Sequence, residues 1–246
     1  MCVFPKGIAL CLLFLSTLLL SGNTAALHVS TKVDGESVYF LFSAPNKISR
    51  YNMATQSQSE DILLSKVPTA FAINGNKAYV AFHRELREID LVTGNNVFVR
   101  NASNDITSIT LLNGQLYAVE STGTIHIIKT TDFSLTETTS FGYIEPTENL
   151  ASALNSAIYS RSTSNIKKAN VNIDGKITGN THSSYYGNYS NTTMLYLNAS
   201  QNKIYDKEGI VYFAADMKYA GSLAGAVDAM TFIGDNPIVL RNTKLT

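Results

Sequence analysis

The feature that most constrains this 246-residue chain is an internal repeat. A tyrosine recurs in the middle of a short apolar strand, with spacings of 40, 38, 42 and 46 residues; the positions are Tyr39, Tyr79, Tyr117, Tyr159 and Tyr205. A self-similar period of this length is the signature of repeat architectures, in which each repeat is one small unit that packs against its neighbours. We expect these tyrosines to be structural and to pack between adjacent units.

Each repeat has the pattern of four short strands. In the second repeat the strands are predicted at 69–76, 77–82, 85–94 and 96–101. Alternating, β-branched and aromatic runs are typical of strands, and we find no convincing helix after residue 26. Asn74-Gly75 and Asn113-Gly114 each predict a two-residue hairpin of type I′, because Asn and Gly best tolerate positive φ.

Four short strands repeated about every 40 residues predict an all-β chain, folded as a β-propeller of four-stranded blades. We expect five full blades and a partial sixth with length for two strands, at 27–68, 69–104, 105–146, 147–190, 191–225 and 226–246. The favoured explanation of the partial blade is a chain truncated from a longer propeller. The alternatives are five blades with an extra hairpin, or a last blade completed by Leu27–Val33.

The first 26 residues read as a secretory signal peptide. Lys6 precedes an apolar run from Ile8 to Leu20, and small residues allow cleavage after Ala26. An uncleaved membrane anchor is the alternative, although 13 residues rise only about 20 Å as a helix. We therefore expect a propeller domain at 27–246, secreted or periplasmic and without membrane contact after cleavage.

Composition excludes several classes of protein. With 45% hydrophobic and 15% charged residues the chain is too apolar for a disordered protein. Basic and acidic residues number 19 each, so we predict no nucleic-acid partner. The only cysteines, Cys2 and Cys11, lie in the signal segment and form no zinc motif. No nucleophile or phosphate-loop motif is present, and we predict no cofactor and no metal.

One stretch, Asn74 to Gly94 (NGNKAYVAFHRELREIDLVTG), resembles the quinoprotein-like and YVTN-type propeller repeats of bacteria. The resemblance implies a propeller fold and little about activity, because propellers host unrelated chemistries. Repeats of this type that bind pyrroloquinoline quinone usually end in Thr-Gly-x-x-x-Trp. Here Thr93-Gly94 precedes Asn95-Asn96-Val97-Phe98, and the chain contains no Trp, so quinone-dependent dehydrogenase activity is not expected.

Acidic residues stand near the start of the predicted innermost strands: Asp105, Glu145, Glu148 and Asp228. Carboxylates converging from inner strands would hold a cation or form an acid/base pair. The alternative, which we favour, is that they accept hydrogen bonds from loop amides. The four histidines have no metal-ligand spacing and are expected at surface or sheet positions: His28, His83, His126 and His182.

The segment 182–191 combines Tyr185, Tyr186 and Tyr189 with Ser, Asn and Gly and has no charged residue. Rigid aromatic faces beside small hydrogen-bonding residues are typical of binding loops for proteins or sugars. An ordinary strand edge with a long turn is the alternative, because Tyr is also a good strand residue.

These patterns favour an exported binding or scaffold module, monomeric, that contacts a protein or glycan through its blade-connecting loops. A propeller enzyme (a lyase, hydrolase or dehydrogenase) acting in the central channel is the first alternative, and a partial gene product without activity is the second. Small inner-strand residues favour the binding module over the enzyme: Ala70, Ala72, Ser108, Thr110, Ser152 and Thr231.

Overall fold

The computed structural model describes residues 26–140, 150–161, 165–183, 194–241 and 244–245. Strands are the only regular elements among these residues. The same described residues include no helix that could cross a membrane. The chain divides into two compact units, Met1–Ile106 and Thr107–Thr246, and each is described by itself.

The first unit contains two antiparallel sheets. The strands of the first sheet are β1 (His28–Asp34), β2 (Ser37–Ser43), β3 (Asn46–Asn52), β4 (Ser57–Gln58) and β5 (Ile62–Leu63). Both β4 and β5 pair with β3, so two short strands share the outer position where one strand at 61–67 was expected. β1 pairs with β2 through a tight turn at Gly35-Glu36. The suggestion that Leu27–Val33 completes the last blade is therefore wrong, because this segment is the first strand of the first sheet.

The second sheet follows in simple order, with β6 (Ala70–Asn74), β7 (Lys77–Phe82), β8 (Glu85–Asp90) and β9 (Asn96–Asn101). Its apolar face packs on that of the first sheet. Tyr39, Leu41 and Ile48 from the first sheet meet Phe71 and Val80 from the second in one buried cluster. Face-to-face burial of alternate side chains in this way is what the period-2 pattern of the sequence predicts.

The sheets after residue 105 repeat this plan. The strands are β10 (Ile106–Leu112), β11 (Gln115–Glu120), β12 (Thr124–Lys129), β13 (Leu135–Ser140), β14 (Leu150–Ser152), β15 (Ala157–Arg161), β16 (Ile166–Val171), β17 (Ile177–His182), β18 (Leu195–Leu197), β19 (Lys203–Asp206), β20 (Ile210–Phe213), β21 (Tyr219–Ser222), β22 (Ala229–Ile233), β23 (Asn236–Arg241) and β24 (Lys244–Leu245). They form three four-stranded sheets and one three-stranded sheet. The last sheet was expected to have two strands, and its third strand is two residues long.

The predicted fold class is confirmed as an all-β propeller with five blades of four antiparallel strand positions each. The expected partial sixth blade is not shown; the residues after 226 form the three-stranded last sheet. Within every sheet the strands are neighbours in chain order, as in a propeller blade. All five tyrosine strands occur where the repeat predicts them. The inner-strand residues Ala70, Ala72, Ser108, Thr110 and Ser152 lie on first strands and are buried.

One hairpin prediction is confirmed and the other is wrong by one residue. Asn113 and Gly114 both have positive φ, 51° and 71°, as a type I′ turn requires. Asn74, in contrast, pairs with Lys77 as part of the strand ladder, so the turn is Gly75-Asn76. Of these two only Gly75 has positive φ, 57°, which is typical of type II′.

The repeated tyrosines are almost completely buried. Tyr117 Oη donates to the carbonyl oxygen of Gly175 at 2.7 Å, and Tyr159 Oη donates to that of Ala214 at 2.6 Å. Burial raises the pKa of Tyr159 to about 12 and also raises that of Tyr117. Both acceptors belong to the next sheet along the chain. The expected structural role of the tyrosines between adjacent repeats is therefore confirmed for these two residues.

Candidate functional site

Asp105 lies in the first unit beside the β7–β8 turn. Its Oδ2 is 3.3 Å from His83 Nδ1, and its Oδ1 is 3.7 Å from Arg84 Nε. The backbone N–H of Ile106 donates to the carbonyl of His83 at 2.8 Å, which holds the start of β10 against this turn. All three side chains are at least half exposed, so the group is a solvated charge cluster.

Asp228 lies in the second unit and is also exposed. Its backbone N–H donates to the carbonyl of Leu240 at 2.8 Å, one residue before β22 begins. Asp105 and Asp228 belong to different units. The favoured hydrogen bonds to loop amides and the alternative of converging carboxylates both stay predictions for them. The remaining candidates lie outside the described residues: Glu145, Glu148, Tyr185, Tyr186 and Tyr189.

Two buried polar pairs were not predicted from the sequence. In the third sheet, His126 Nε2 lies 2.8 Å from Glu120 Oε1, and both side chains are almost fully buried. Thr138 Oγ1 is 3.5 Å from His126 Nδ1 on the other side of the ring. His126 thus occupies the sheet position expected for it, and its two ring nitrogens face a carboxylate and a hydroxyl.

The second pair joins the fourth and fifth sheets. Arg161 Nη1 is 3.4 Å from Asp206 Oδ2, and both side chains are buried. Tyr212 Oη donates to Asp206 Oδ2 at 3.3 Å, and the Ile210 N–H donates to Oδ1 at 2.9 Å. Burial raises the pKa of Asp206, and the hydrogen bond from Ile210 and the charge of Arg161 only partly offset that rise.

These groups offer little to a substrate. The described residues contain no set of three His, Cys, Asp or Glu side chains that could hold a metal ion. Ser160, which lies opposite Lys167 across β15 and β16, is a hydroxyl without a hydrogen-bond partner. Burial lowers the pKa of Lys167, and Ser160 is 0% exposed, so both side chains are enclosed by the sheet.

The two ends of the sheets in the second unit differ in their loops. We call the end with the turns between first and second and between third and fourth strands the short-turn end; its turns are 113–114, 130–134, 153–156, 172–176, 198–202, 214–218 and 234–235. The opposite, connection end carries the links from one sheet to the next. Gln201 Oε1 accepts from Ser152 Oγ at 3.0 Å, and Asp235 Oδ1 accepts from the Ser200 N–H at 2.8 Å. These bonds join the short-turn ends of the fourth, fifth and last sheets.

Large exposed apolar side chains of the second unit gather at this end. Among its described residues, every large hydrophobic residue that is exposed lies in a short turn or beside one: Leu135 (40%), Leu154 (73%), Ile173 (91%), Phe213 (47%) and Tyr219 (49%). The described residues at the connection end contribute none to this group. Sequence reasoning missed the pattern, although a lone Leu154 or Ile173 beside an Asn in a short turn was a visible signal.

Comparison with known proteins supports the fold and does not show a family. No protein-family model matches the chain, and no curated protein matches it. Solved structures match at low identity over most of the chain. A functionally unknown protein from Desulfotomaculum acetoxidans is 14% identical with a TM-score of 0.67, covering 89% of this chain and 76% of that one.

Two further matches are hydrazine synthase from Kuenenia stuttgartiensis and the WD40 repeats of RRP9. The first is 12% identical with a TM-score of 0.67, covering 89% of this chain and 75% of that one. The second is 10% identical with a TM-score of 0.62, covering 80% and 63%. Such similarity shows the β-propeller fold alone. The membership in the quinoprotein-like or YVTN-type family stays a prediction.

Proposed function

We propose that the chain is an exported β-propeller binding module that holds a partner on the exposed turns of its blades. The observation that carries the proposal is the gathering of large apolar side chains at one end of the second unit. Apolar groups concentrated on one exposed surface are typical of interaction sites, whereas scattered ones are normal. A propeller with WD40-type structural neighbours fits a binding or scaffold role.

The buried polar groups support binding over catalysis. Asp206 is engaged by Arg161, Tyr212 and a backbone N–H, and His126 by Glu120. Buried groups that are bonded to one another, within one sheet or between two neighbouring sheets, are occupied by packing contacts. The enzyme alternative gains no specific support from these residues.

Export is the second part of the proposal and is supported by the first 26 residues. The full chain with a C-terminal epitope tag would be expressed and fractionated, and the N-terminus of the tagged product sequenced. We expect a product that begins at Leu27 outside the cytoplasm. A cytoplasmic, uncleaved product would contradict export and leave the binding proposal standing.

Binding itself is tested by chemical cross-linking of the tagged chain in its source cells, followed by reconstitution from purified components. We expect one partner, protein or glycan, that binds the purified chain at a saturable site. Turnover of ester, uronide or alcohol substrates by the purified chain, with loss of turnover in Glu120→Gln, would contradict the proposal and favour the enzyme.

A further inference from the structure

We infer that the short-turn end of the second unit is the interaction surface, and that its partner is a protein presenting an apolar, nearly uncharged face. This inference rests on the proposed binding function and names its surface and the kind of partner. Tyr185, Tyr186 and Tyr189 lie outside the described residues and carry no part of this inference.

The apolar side chains at this end are displayed by turns and are held away from the core. Ile173 and Leu154 occupy turn positions of the fourth sheet and are the two most exposed large hydrophobic residues among those that the structure describes in this unit. Phe213 and Tyr219 flank the 214–218 turn of the fifth sheet, and Leu135 follows the 130–134 turn of the third. Aromatic and large aliphatic side chains of this kind supply most of the affinity at protein interfaces.

Two polar side chains of the 198–202 turn, Asn198 and Gln201, are already bonded within the chain. Asn198 Nδ2 donates to Asn202 Oδ1 at 2.7 Å and to Asp235 Oδ1 at 3.0 Å, while its Oδ1 accepts from two backbone N–H groups. Gln201 Oε1 accepts from the Leu154 N–H at 3.2 Å. Covering this turn leaves few unpaired polar groups, so the turn adds little to the desolvation cost of binding.

Bonded turns are also preorganised turns. Asp132 Oδ1 accepts from the Ser134 N–H at 2.9 Å, and Asn172 Oδ1 accepts from the Lys176 N–H at 2.8 Å. These bonds fix the turn before Leu135 and the turn that contains Ile173 before a partner binds. Preorganised loops lose less conformational entropy on binding than free loops do.

Charge at this end selects the class of partner. The turns and the residues that flank them contain four lysines and four aspartates: Lys129, Lys176, Lys203, Lys218, Asp132, Asp174, Asp216 and Asp235. Lys168 adds one more cation to this end, because its Nζ donates to the carbonyl of Ala215 at 2.7 Å. A surface for nucleic acid or for anionic lipid needs a cluster of cations without opposing charges, and one additional lysine does not supply it. A neutral surface with apolar projections complements a protein face of the same character.

The experiment compares two variants of the full chain. Leu154→Ser with Ile173→Ser removes the two most exposed of the large apolar side chains described at the short-turn end. Leu63→Ser is the matched control, because Leu63 is 78% exposed on the outer strand of the first sheet. Both variants should keep the wild-type thermal transition, since none of the three side chains is buried.

The partner is identified by photo-cross-linking from p-benzoylphenylalanine placed at position 173, and the same probe at position 63 is the control. We expect one protein to cross-link from position 173 alone. Its purified form should bind the double variant at least about tenfold more weakly than wild type, and bind Leu63→Ser unchanged.

Other outcomes overturn the inference. If wild type bound vesicles of phosphatidylcholine and phosphatidylglycerol and the double variant did not, the surface would be a membrane-binding surface. Loss of a wild-type dimer in sedimentation velocity would make the occupant a second copy. If a protein or glycan partner bound the double variant as tightly as wild type, the short-turn end would not be the binding surface, but the proposed binding function would stand. If the chain had no partner and showed enzymatic turnover, both the proposed binding function and this surface would be wrong.

Discussion

The hydroxyl of Tyr117 donates a 2.7 Å hydrogen bond to the carbonyl oxygen of Gly175, 58 residues further along the chain. Tyr159 repeats the arrangement with Ala214, 55 residues further along. In both cases a tyrosine on the second strand of one sheet fastens the turn between the third and fourth strands of the next. For these two residues, the tyrosine that recurs in the sequence makes the same contact with the neighbouring sheet.

Removing the hydroxyl of Tyr159 tests this contact. Tyr159→Phe leaves the Ala214 carbonyl without its buried donor, and we expect a loss of about 1–2 kcal/mol in the free energy of unfolding. Urea unfolding at pH 7 measures the change. Tyr219→Phe, at an exposed position, should change stability by less than about 0.5 kcal/mol. Equal effects of the two variants would mean that the buried bond has no special weight.

The turn that accepts the hydrogen bond from Tyr117 gives a second prediction, at Gly175. Its φ is +82°, and a Cβ placed there would lie 2.4 Å from Gln115 Cγ. Gly175→Ala therefore combines backbone strain with a clash, and we expect a loss of about 2–4 kcal/mol. Gly94→Ala is the control, because its φ is +73° and the space around it is open. It should cost about 1 kcal/mol, and the two midpoints are compared in urea.

Much of the fold was predictable because the period of the strands is local. The strand of Tyr79, for example, was expected at 77–82 and is observed at Lys77–Phe82. Turn geometry was less predictable: whether Asn74 joins the ladder or the turn depends on its pairing with Lys77 across the hairpin. The outer position of the first sheet was mispredicted for a related reason, since weak edge strands are set by the partner strand more than by their own residues.

The candidate site was harder to predict than the fold. Asp105 was singled out by its place before an inner strand, but its neighbours His83 and Arg84 reach it from a turn about twenty residues earlier. Arg161 and Asp206 are 45 residues apart and become partners only when two sheets pack together. Single-sequence patterns report periodicity within a repeat and carry no information on which polar residues of adjacent repeats face each other.

The buried pair of Arg161 and Asp206 gives the third prediction. Arg161→Met keeps most of the side-chain volume and leaves Asp206 without its cation. We expect a loss of about 3–5 kcal/mol, which Arg161→Met with Asp206→Leu should partly restore. Lys218→Met, at the exposed pair with Asp216, should change stability by less than about 0.5 kcal/mol. A single Arg161→Met variant as stable as wild type would show that the pair does not contribute to packing specificity.

The fourth prediction concerns acid and the first sheet, where Asp61 joins the outer loop to β3. Its Oδ2 accepts from Lys47 Nζ at 2.7 Å and its Oδ1 from Ser49 Oγ at 2.6 Å. Burial alone would raise the pKa of Asp61, but the bonds from Lys47 and Ser49 outweigh burial and lower it below 3.8. The stability from this carboxylate is therefore present above pH 3.8 and is lost as the pH falls through the lowered pKa.

Asp61→Asn should accordingly be less stable than wild type at pH 7 and at pH 5, and the difference should shrink as the pH falls below 3.8. Urea unfolding at pH 7, 5 and 3 measures it. Glu60→Gln makes the same change of charge one residue earlier, on an exposed side chain, and should follow wild type at all three pH values. A difference between Asp61→Asn and wild type that stays constant down to pH 3 would mean that the hydrogen-bonded carboxylate does not contribute through its ionised form.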